Sequence, residues 1–199
     1  MSKTRIIIFA KAPVPGFAKT RLIPALGAEG AAELARRMLL LAMEQALQSG
    51  ATDVELCATP SIQDPSWDGL HLTYPIKFTE QGTGDLGERL ARAASRACAA
   101  GAHVLLIGTD CPDLNARTLQ QAIAALDRNE SVMIPTFDGG YALLGFKSFD
   151  PSLFENIHWS TSSVACETQA RIKALAWTLE LLPMLHDIDE PDDLQWLRL

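Results

Sequence analysis

No apolar run in this 199-residue sequence approaches the roughly 20 residues that span a bilayer, so no membrane-crossing helix is expected. The run Ile6-Ile7-Ile8-Phe9-Ala10 is too short for a secretory signal, and Lys11-Ala12-Pro13 offers no small-residue cleavage pattern. A first buried strand is the simpler reading, and the cytoplasm is the expected location. Cysteine is sparse: Cys57, Cys98, Cys111 and Cys166 form no Cys-x-x-Cys pair. Neither zinc nor redox chemistry is therefore signalled, and free thiols are expected. Basic residues are outnumbered, 17 Lys and Arg against 24 Asp and Glu, and the net charge of −7 argues against nucleic acid as the main partner. The sequence also lacks the Gly-x-Ser-x-Gly elbow of serine hydrolases, the Gly-x-x-x-x-Gly-Lys-Ser/Thr phosphate loop and the Gly-x-Gly-x-x-Gly dinucleotide turn. His71, His103, His158 and His186 share no ligand spacing and read as structural or surface residues. There is no internal repeat, low-complexity segment or linker, so one domain over residues 1–199 is expected.

What is present is an alternation of strand-like and helix-like segments. That is the pattern of an α/β fold with a mainly parallel, mixed sheet flanked by helices. Arg5 to Ala10 reads as a strand buried on both faces, because its apolar run is continuous. Leu34, Met38 and Leu41 have helical spacing and place a helix over about 28–48. Val54 to Ala58 is a second strand, followed by a Pro-rich loop over 60–69. Leu86, Leu90, Ala93 and Ala97 mark a helix over about 85–100, with Gly101 beyond its end. His103 to Ile107 is a strand. A helix through Leu119, Ile123 and Leu126 follows, with Asn115 as its cap. Ser131 to Pro135 and Tyr141 to Phe146 are strands joined so closely that one is expected to run antiparallel. A helix over 163–175 and a strand-like stretch over 177–182 precede an acidic tail.

Three segments carry chemical potential where open α/β sheets bind ligands, beyond the strand carboxyl ends. In the first, from Lys11 to Arg21, Pro13 and Pro15 stiffen a loop, Gly16 permits an unusual backbone angle, and Lys11, Lys19 and Arg21 could hold phosphates. An ordinary solvated basic loop is the rival account. In the second, Gly108-Thr109-Asp110-Cys111-Pro112, a carboxylate is held at a strand end as a hard cation requires. Helix capping by Asp110 or Asp113 is the commoner role, and Cys111 reads as a small buried thiol rather than a nucleophile. In the third, from Asp187 to Leu194, Pro191 suits the first position of a short helix, with Glu190, Asp192 and Asp193 at its positive end. That account does not require Asp187 and Asp189.

Together these segments resemble a bacterial family of unknown function described as glycosyltransferase-A-like, or nucleotide-diphospho-sugar-transferase-like. The resemblance rests on Phe9-Ala10-Lys11-Ala12-Pro13-Val14-Pro15-Gly16 followed by Lys19-Thr20-Arg21-Leu22, and on Asp85-Leu86-Gly87-Glu88-Arg89-Leu90. It continues through Gly108-Thr109-Asp110-Cys111-Pro112-Asp113-Leu114, Asp138-Gly139-Gly140-Tyr141, Trp159-Ser160-Thr161 and Asp187-Ile188-Asp189. More distantly the sequence is similar to guanylyltransferases of the molybdenum-cofactor and phospholactate types and to acid-sugar cytidylyltransferases.

The resemblance implies a Rossmann-like nucleotide-diphospho-sugar transferase fold, with a nucleotide or nucleotide sugar and a small acceptor as partners and Mg²⁺ or Mn²⁺ as cofactor. It maps phosphate binding onto Lys11, Pro13, Gly16, Lys19 and Arg21, and metal binding onto Asp110 and Asp189, with Asp187 as a rival for the second position. Arg89 either reaches the nucleotide or pairs with Glu88 or Asp85. Asp138 faces the acceptor as base or positioner, or is simply a turn residue, since Asp-Gly is a hairpin signal. Gly139, Gly140, Tyr141, Trp159, Ser160 and Thr161 form the acceptor side. Ser160 and Thr161 either sit at a helix N-terminus facing an anionic acceptor or belong to a cap that follows a buried Trp. With Asp110, Asp138 and Lys19 in catalytic roles, the implied reaction is metal-dependent glycosyl transfer from a nucleotide sugar. Nucleotidyl transfer with release of pyrophosphate, or nucleotide binding without catalysis, are the alternatives.

Overall fold

A computed structural model describes residues 3–70 and 75–197. Seven strands form one sheet in the order β3-β2-β1-β4-β6-β5-β7. The strands are β1 (Thr4–Lys11), β2 (Asp53–Thr59), β3 (Lys77–Glu80), β4 (His103–Ile107), β5 (Ser131–Pro135), β6 (Tyr141–Phe146) and β7 (Leu179–Leu181). All pair in parallel except β6, which runs antiparallel to β4 and β5, as the short Asp138-Gly139-Gly140 link requires. Helices α1 (Ile23–Gln48), α2 (Leu86–Ala99), α3 (Ala116–Arg128) and α4 (Val164–Ala174) cover the sheet.

The continuous apolar run of β1 is explained by burial on both faces. Ile6 and Ile8 pack with Leu39 and Met43 of α1 and Leu119 and Leu126 of α3. Ile7 points the other way, among Leu90, Ala94 and Ala97 of α2 and Ile172 of α4. Each such side chain contributes about 1.5–3 kcal/mol. Gly27 (φ 70°) interrupts α1, so the unbroken helix begins at residue 28, where the periodicity placed it. The cap of α3 is Asn115, whose side chain accepts from Thr118 N at 3.0 Å.

Three elements differ from expectation. β3 was not foreseen: Lys77-Phe78-Thr79-Glu80 is a short edge strand with only half-buried side chains, too brief and polar to show periodicity. The loop over 60–69 contains a 3₁₀ helix, Pro65–Leu70. The terminal strand covers only Leu179–Leu181. His71 lies outside the described residues.

The strand order reverses at β1. From there the chain builds outward to β2 and β3, then crosses to β4 on the other side. A crevice opens beyond the carboxyl ends of β1 and β4, the place where such sheets bind ligands. At the opposite end, the fully buried Glu55 of β2 accepts from Arg5 of β1 (3.4 Å), from Thr79 Oγ1 of β3 (2.7 Å) and from Arg96 of α2. Among the described residues no helix is long and apolar enough to cross a membrane.

Candidate active site

The crevice is a cleft of about 680 Å³, within the usual range for small-molecule sites, roughly 300–1,000 Å³. Its floor is made by strand ends, and three chain segments far apart in sequence meet there. Ile188, fully buried with Leu22 of the 3₁₀ turn Thr20–Leu22 and with Ala31, Leu34 and Met38 of α1, is the anchor. Its N–H donates to the Asp110 carbonyl at 2.8 Å, seating the C-terminal segment beside β4. Lys19 Nζ donates to the Ile188 carbonyl and pairs with Asp110 Oδ1, with Asp189 Oδ1 3.9 Å away. Arg21 pairs with Asp189 Oδ2 at 2.7 Å. Because Ile188 points into the core, its neighbours Asp187 and Asp189 both reach the cleft wall.

The lysine that ties these segments together is itself held in a costly conformation. Lys19 has φ 49° and Ser160 has φ 62°, left-handed values that cost a side-chain-bearing residue roughly 1–2 kcal/mol. Both residues line the cleft; Asn156 and Ala176, which share this conformation, do not. Burial of Lys19's aliphatic stem, whose side chain is 6% exposed, and its ionic contacts offset the strain.

Asp187 is half-buried, and that burial, reinforced by the charges of Asp138, Asp193 and Asp110, pushes its carboxyl up to about 6. Carboxylates crowded in this way favour a cation. The donors are hard oxygens, and Mg²⁺ is commonly held by one or two carboxylates with substrate phosphates completing its shell. Asp110 and Asp189, already spanned by an ammonium group, fit that description. Among the described residues no group of three or more His, Cys, Asp or Glu converges as a ready-made cage. Cys111 is mostly buried, and burial, then the charges of Asp110 and Asp187, holds its thiol well above the usual range, which suits an inert thiol.

Lys11, exposed at the end of β1, and Arg89 of α2 line the same cleft. Arg89 pairs with neither Glu88 nor Asp85, which cap α2 reciprocally. It donates instead to the Gly84 carbonyl (2.9 Å) and to Gln81 Oε1 (3.4 Å). Gln81, buried just after β3, spans the strand ends by donating to the carbonyls of Ala10 (3.1 Å) and Cys57 (3.0 Å).

The far wall comes from the β5–β6 loop and residues 159–162. Asp138 is both turn residue and wall residue: its Oδ1 accepts from Gly140 N (2.9 Å) and Thr136 Oγ1 (2.5 Å) while the residue lines the cleft. Gly140, Tyr141, Trp159, Ser160 and Thr161 line it as well. Ser160 and Thr161 are not the cap of α4; Ser163 holds that position, and Thr161 Oγ1 donates to the His158 carbonyl at 2.7 Å. Trp159 is half-buried beside Gly87, where an added Cβ would fall 2.7 Å from the indole nitrogen.

Pro13, Gly16 and Gly139 are not on the wall. Pro13 and Gly16 (φ 80°) shape the outward turn of their loop, which returns to the cleft from Phe17. Gly139 (φ 93°) lies behind the surface, where a Cβ would fall 2.1 Å from the Ser162 carbonyl oxygen. Its absence lets the two far-wall loops touch. Conversely, Phe17, Gln81, Thr109, Thr136 and Ser162 line the cleft and were not singled out from sequence. Thr109 adjoins Asp110 in an already conspicuous motif; Gln81 follows a strand that the sequence did not reveal.

A mostly parallel mixed sheet with this crevice defines the nucleotide-diphospho-sugar transferase fold. Residues 41–161 match the family described as an uncharacterized protein conserved in bacteria (DUF2064), and the chain belongs to that family. A protein from Desulfovibrio desulfuricans G20, provisionally assigned as a nucleotide-diphospho-sugar transferase, is 33% identical, with a TM-score of 0.90 over 98% of this chain and 85% of its own. More distant likeness, in fold alone, reaches a manganese complex of Rv0371C from Mycobacterium tuberculosis H37Rv (12% identity, TM-score 0.61, covering 98% and 97%). It also reaches CMP:2-keto-3-deoxy-manno-octonic acid synthetase complexed with CTP (11% identity, TM-score 0.60, covering 98% and 96%). No curated protein matches the sequence.

Proposed function

We propose that this protein is a divalent-metal-dependent transferase that moves a glycosyl group from a nucleotide sugar to a small acceptor. The observation that carries this reading is the meeting of Asp110 and Asp189 around the Lys19 ammonium at the reversal of strand order, with Lys11 and Arg89 lining the same cleft. The site thus offers a cation position and phosphate counter-charges within one cleft. The 33% identical relative supports a nucleotide sugar as donor.

Asp110 and Asp189 would hold Mg²⁺ or Mn²⁺, with Asp187 beside them; the ion would neutralise charge on the departing diphosphate. Lys11 and Arg89 orient the phosphates, with Gln81 fixing the guanidinium of Arg89. Lys19 and Arg21 add positive charge where the leaving group becomes more negative. Asp138 keeps Oδ1 in its turn, so its remaining oxygen is the one suited to accept a proton from, or position, an acceptor hydroxyl.

The test is a thermal-shift panel of nucleoside di- and triphosphates and nucleotide sugars, with and without Mg²⁺ or Mn²⁺. A ligand at about 100 times its Kd contributes about 2.7 kcal/mol, a clear rise in Tm. A metal-dependent shift with one nucleotide sugar, followed by turnover releasing nucleoside diphosphate, is the expected result. A shift with triphosphates alone and release of pyrophosphate replaces it with nucleotidyl transfer. Binding without turnover under any condition leaves a nucleotide-binding protein.

A further inference from the structure

Only half of the charged groups lining the cleft are paired with one another. The wall carries Lys11, Lys19, Arg21 and Arg89 as cations and Asp110, Asp138, Asp187 and Asp189 as anions. Lys19 and Arg21 are paired with Asp110 and Asp189. Among the described residues, Lys11 and Arg89 have no carboxylate partner, and Asp138 and Asp187 have no cationic one. The unpaired cations lie on β1 and α2. The unpaired anions lie on the β5–β6 loop (Asp138) and the C-terminal segment (Asp187), and the wall also offers the hydroxyls of Thr136, Ser160 and Ser162 and the rings of Tyr141 and Trp159.

The N-terminus of α4 also approaches the β5–β6 loop, and it is already spent. Ala165 N donates to the Gly139 carbonyl (2.9 Å), Val164 N to the Thr161 carbonyl (3.4 Å) and Ser163 N to Thr161 Oγ1 (3.4 Å). The carboxylate of Glu167, held by Ser163 Oγ (2.6 Å) and His158 N (3.0 Å), supplies the negative charge that a helix start attracts. Three of the N–H groups at that helix start, and its electrostatic pull on an anion, are thereby engaged within the chain.

Resting on the reading as a nucleotide-sugar transferase, we propose that the Asp138 side of the cleft selects uncharged, hydroxyl-rich sugar groups and rejects those bearing carboxylate or phosphate. Sugar hydroxyls donate to free carboxylate oxygens, and the face of Trp159 suits the apolar face of a sugar ring. An anionic substituent meets the unpaired carboxylate of Asp138 instead, and like-charge juxtaposition is one means by which sites reject wrong ligands.

The experiment first titrates ADP, GDP, UDP and CDP with Mg²⁺ to identify the base. The protein is then titrated with the glucose and the glucuronate conjugates of that diphosphate, which differ in one carboxylate. The glucose conjugate should bind at least about tenfold more tightly. Asp138→Asn, which retains an oxygen for Gly140 N and Thr136 Oγ1, should narrow that ratio by weakening the discrimination against glucuronate. Tight nucleotide binding with equal or greater affinity for the glucuronate conjugate overturns this inference and leaves the proposed function standing. Failure of every diphosphate to bind overturns both.

Discussion

The two ends of the sheet handle charge in opposite ways. At the amino ends of β1 and β2, a single fully buried carboxylate, Glu55, is surrounded by Arg5, Arg96 and Thr79. At the carboxyl ends, four carboxylates share a cleft with only two cations pairing them, Lys19 and Arg21. Asp110 there is 51% exposed and Glu55 is 0% exposed. The first arrangement pairs its one buried carboxylate fully, although the Nε atoms of Arg5 and Arg96 are buried without a partner. The second carries as many cations as carboxylates but leaves Lys11, Arg89, Asp138 and Asp187 without an ionic partner, which under the proposed function leaves them available to a ligand. Under the proposed function, stability and turnover are thereby assigned to different clusters on the same strands.

That division can be broken by exchanging one charge at a time. Asp110→Ala carries the largest expected effect, a fall in metal-dependent turnover of about 100- to 1,000-fold. Its urea midpoint should fall less than that of Glu55→Gln, because Asp110 is exposed and the buried Lys19, although it loses its nearest counter-charge, keeps its contacts to Ile188 and Asp189. A comparable loss of stability would show that the cleft cluster is structural. Glu55→Gln reverses the pattern. Breaking a fully buried pair costs about 3–5 kcal/mol. The loss here should fall below that range, because Arg5 keeps its pair with Asp53 at 3.1 Å and Arg96 reaches solvent, while nucleotide affinity of the folded fraction is unchanged. Chemical denaturation and calorimetric titration measure the two halves of that statement.

Asp187→Asn sharpens the comparison through pH. The native carboxyl titrates at about 6, above its ordinary value, so the folded state holds the proton more tightly than the unfolded chain does. The penalty for its charge is therefore complete above about pH 6 and fades toward pH 4. The variant should be more stable than the parent by about 1 kcal/mol or less at pH 8, with the gain vanishing near pH 4 in paired melting curves. Smallest of all is Arg128→Ala. Its exposed pair with Glu180, at 3.1 Å, belongs to neither cluster and should contribute less than about 0.5 kcal/mol.

Much of the fold was legible because periodicity and punctuation are local. The apolar run of β1, the spacing of Leu34 and Met38, the Asn115 cap and the tight link at Asp138 each report their own conformation. β3 was hidden because an edge strand of four residues has no buried face to pattern. The Glu55 cluster was hidden for a different reason. Arg5, Glu55, Thr79 and Arg96 meet only once three parallel strands and α2 are assembled, and a charged residue inside an apolar strand looks like noise beforehand.

The sequence by itself determined the alternation of strands and helices, the family, and the segments from which a cleft could be made, since all of these are carried by residues close together in the chain. Only the tertiary structure decided which members of those segments face the cleft. It turned Pro13, Gly16 and Gly139 to supporting positions and brought Gln81 and Thr136 to the wall. It also decided which charged groups of the cleft pair with one another and which do not. Coulomb interactions act through space, and the distance from Lys19 to Asp189 is set by the burial of Ile188 rather than by the 170 positions between them in the chain.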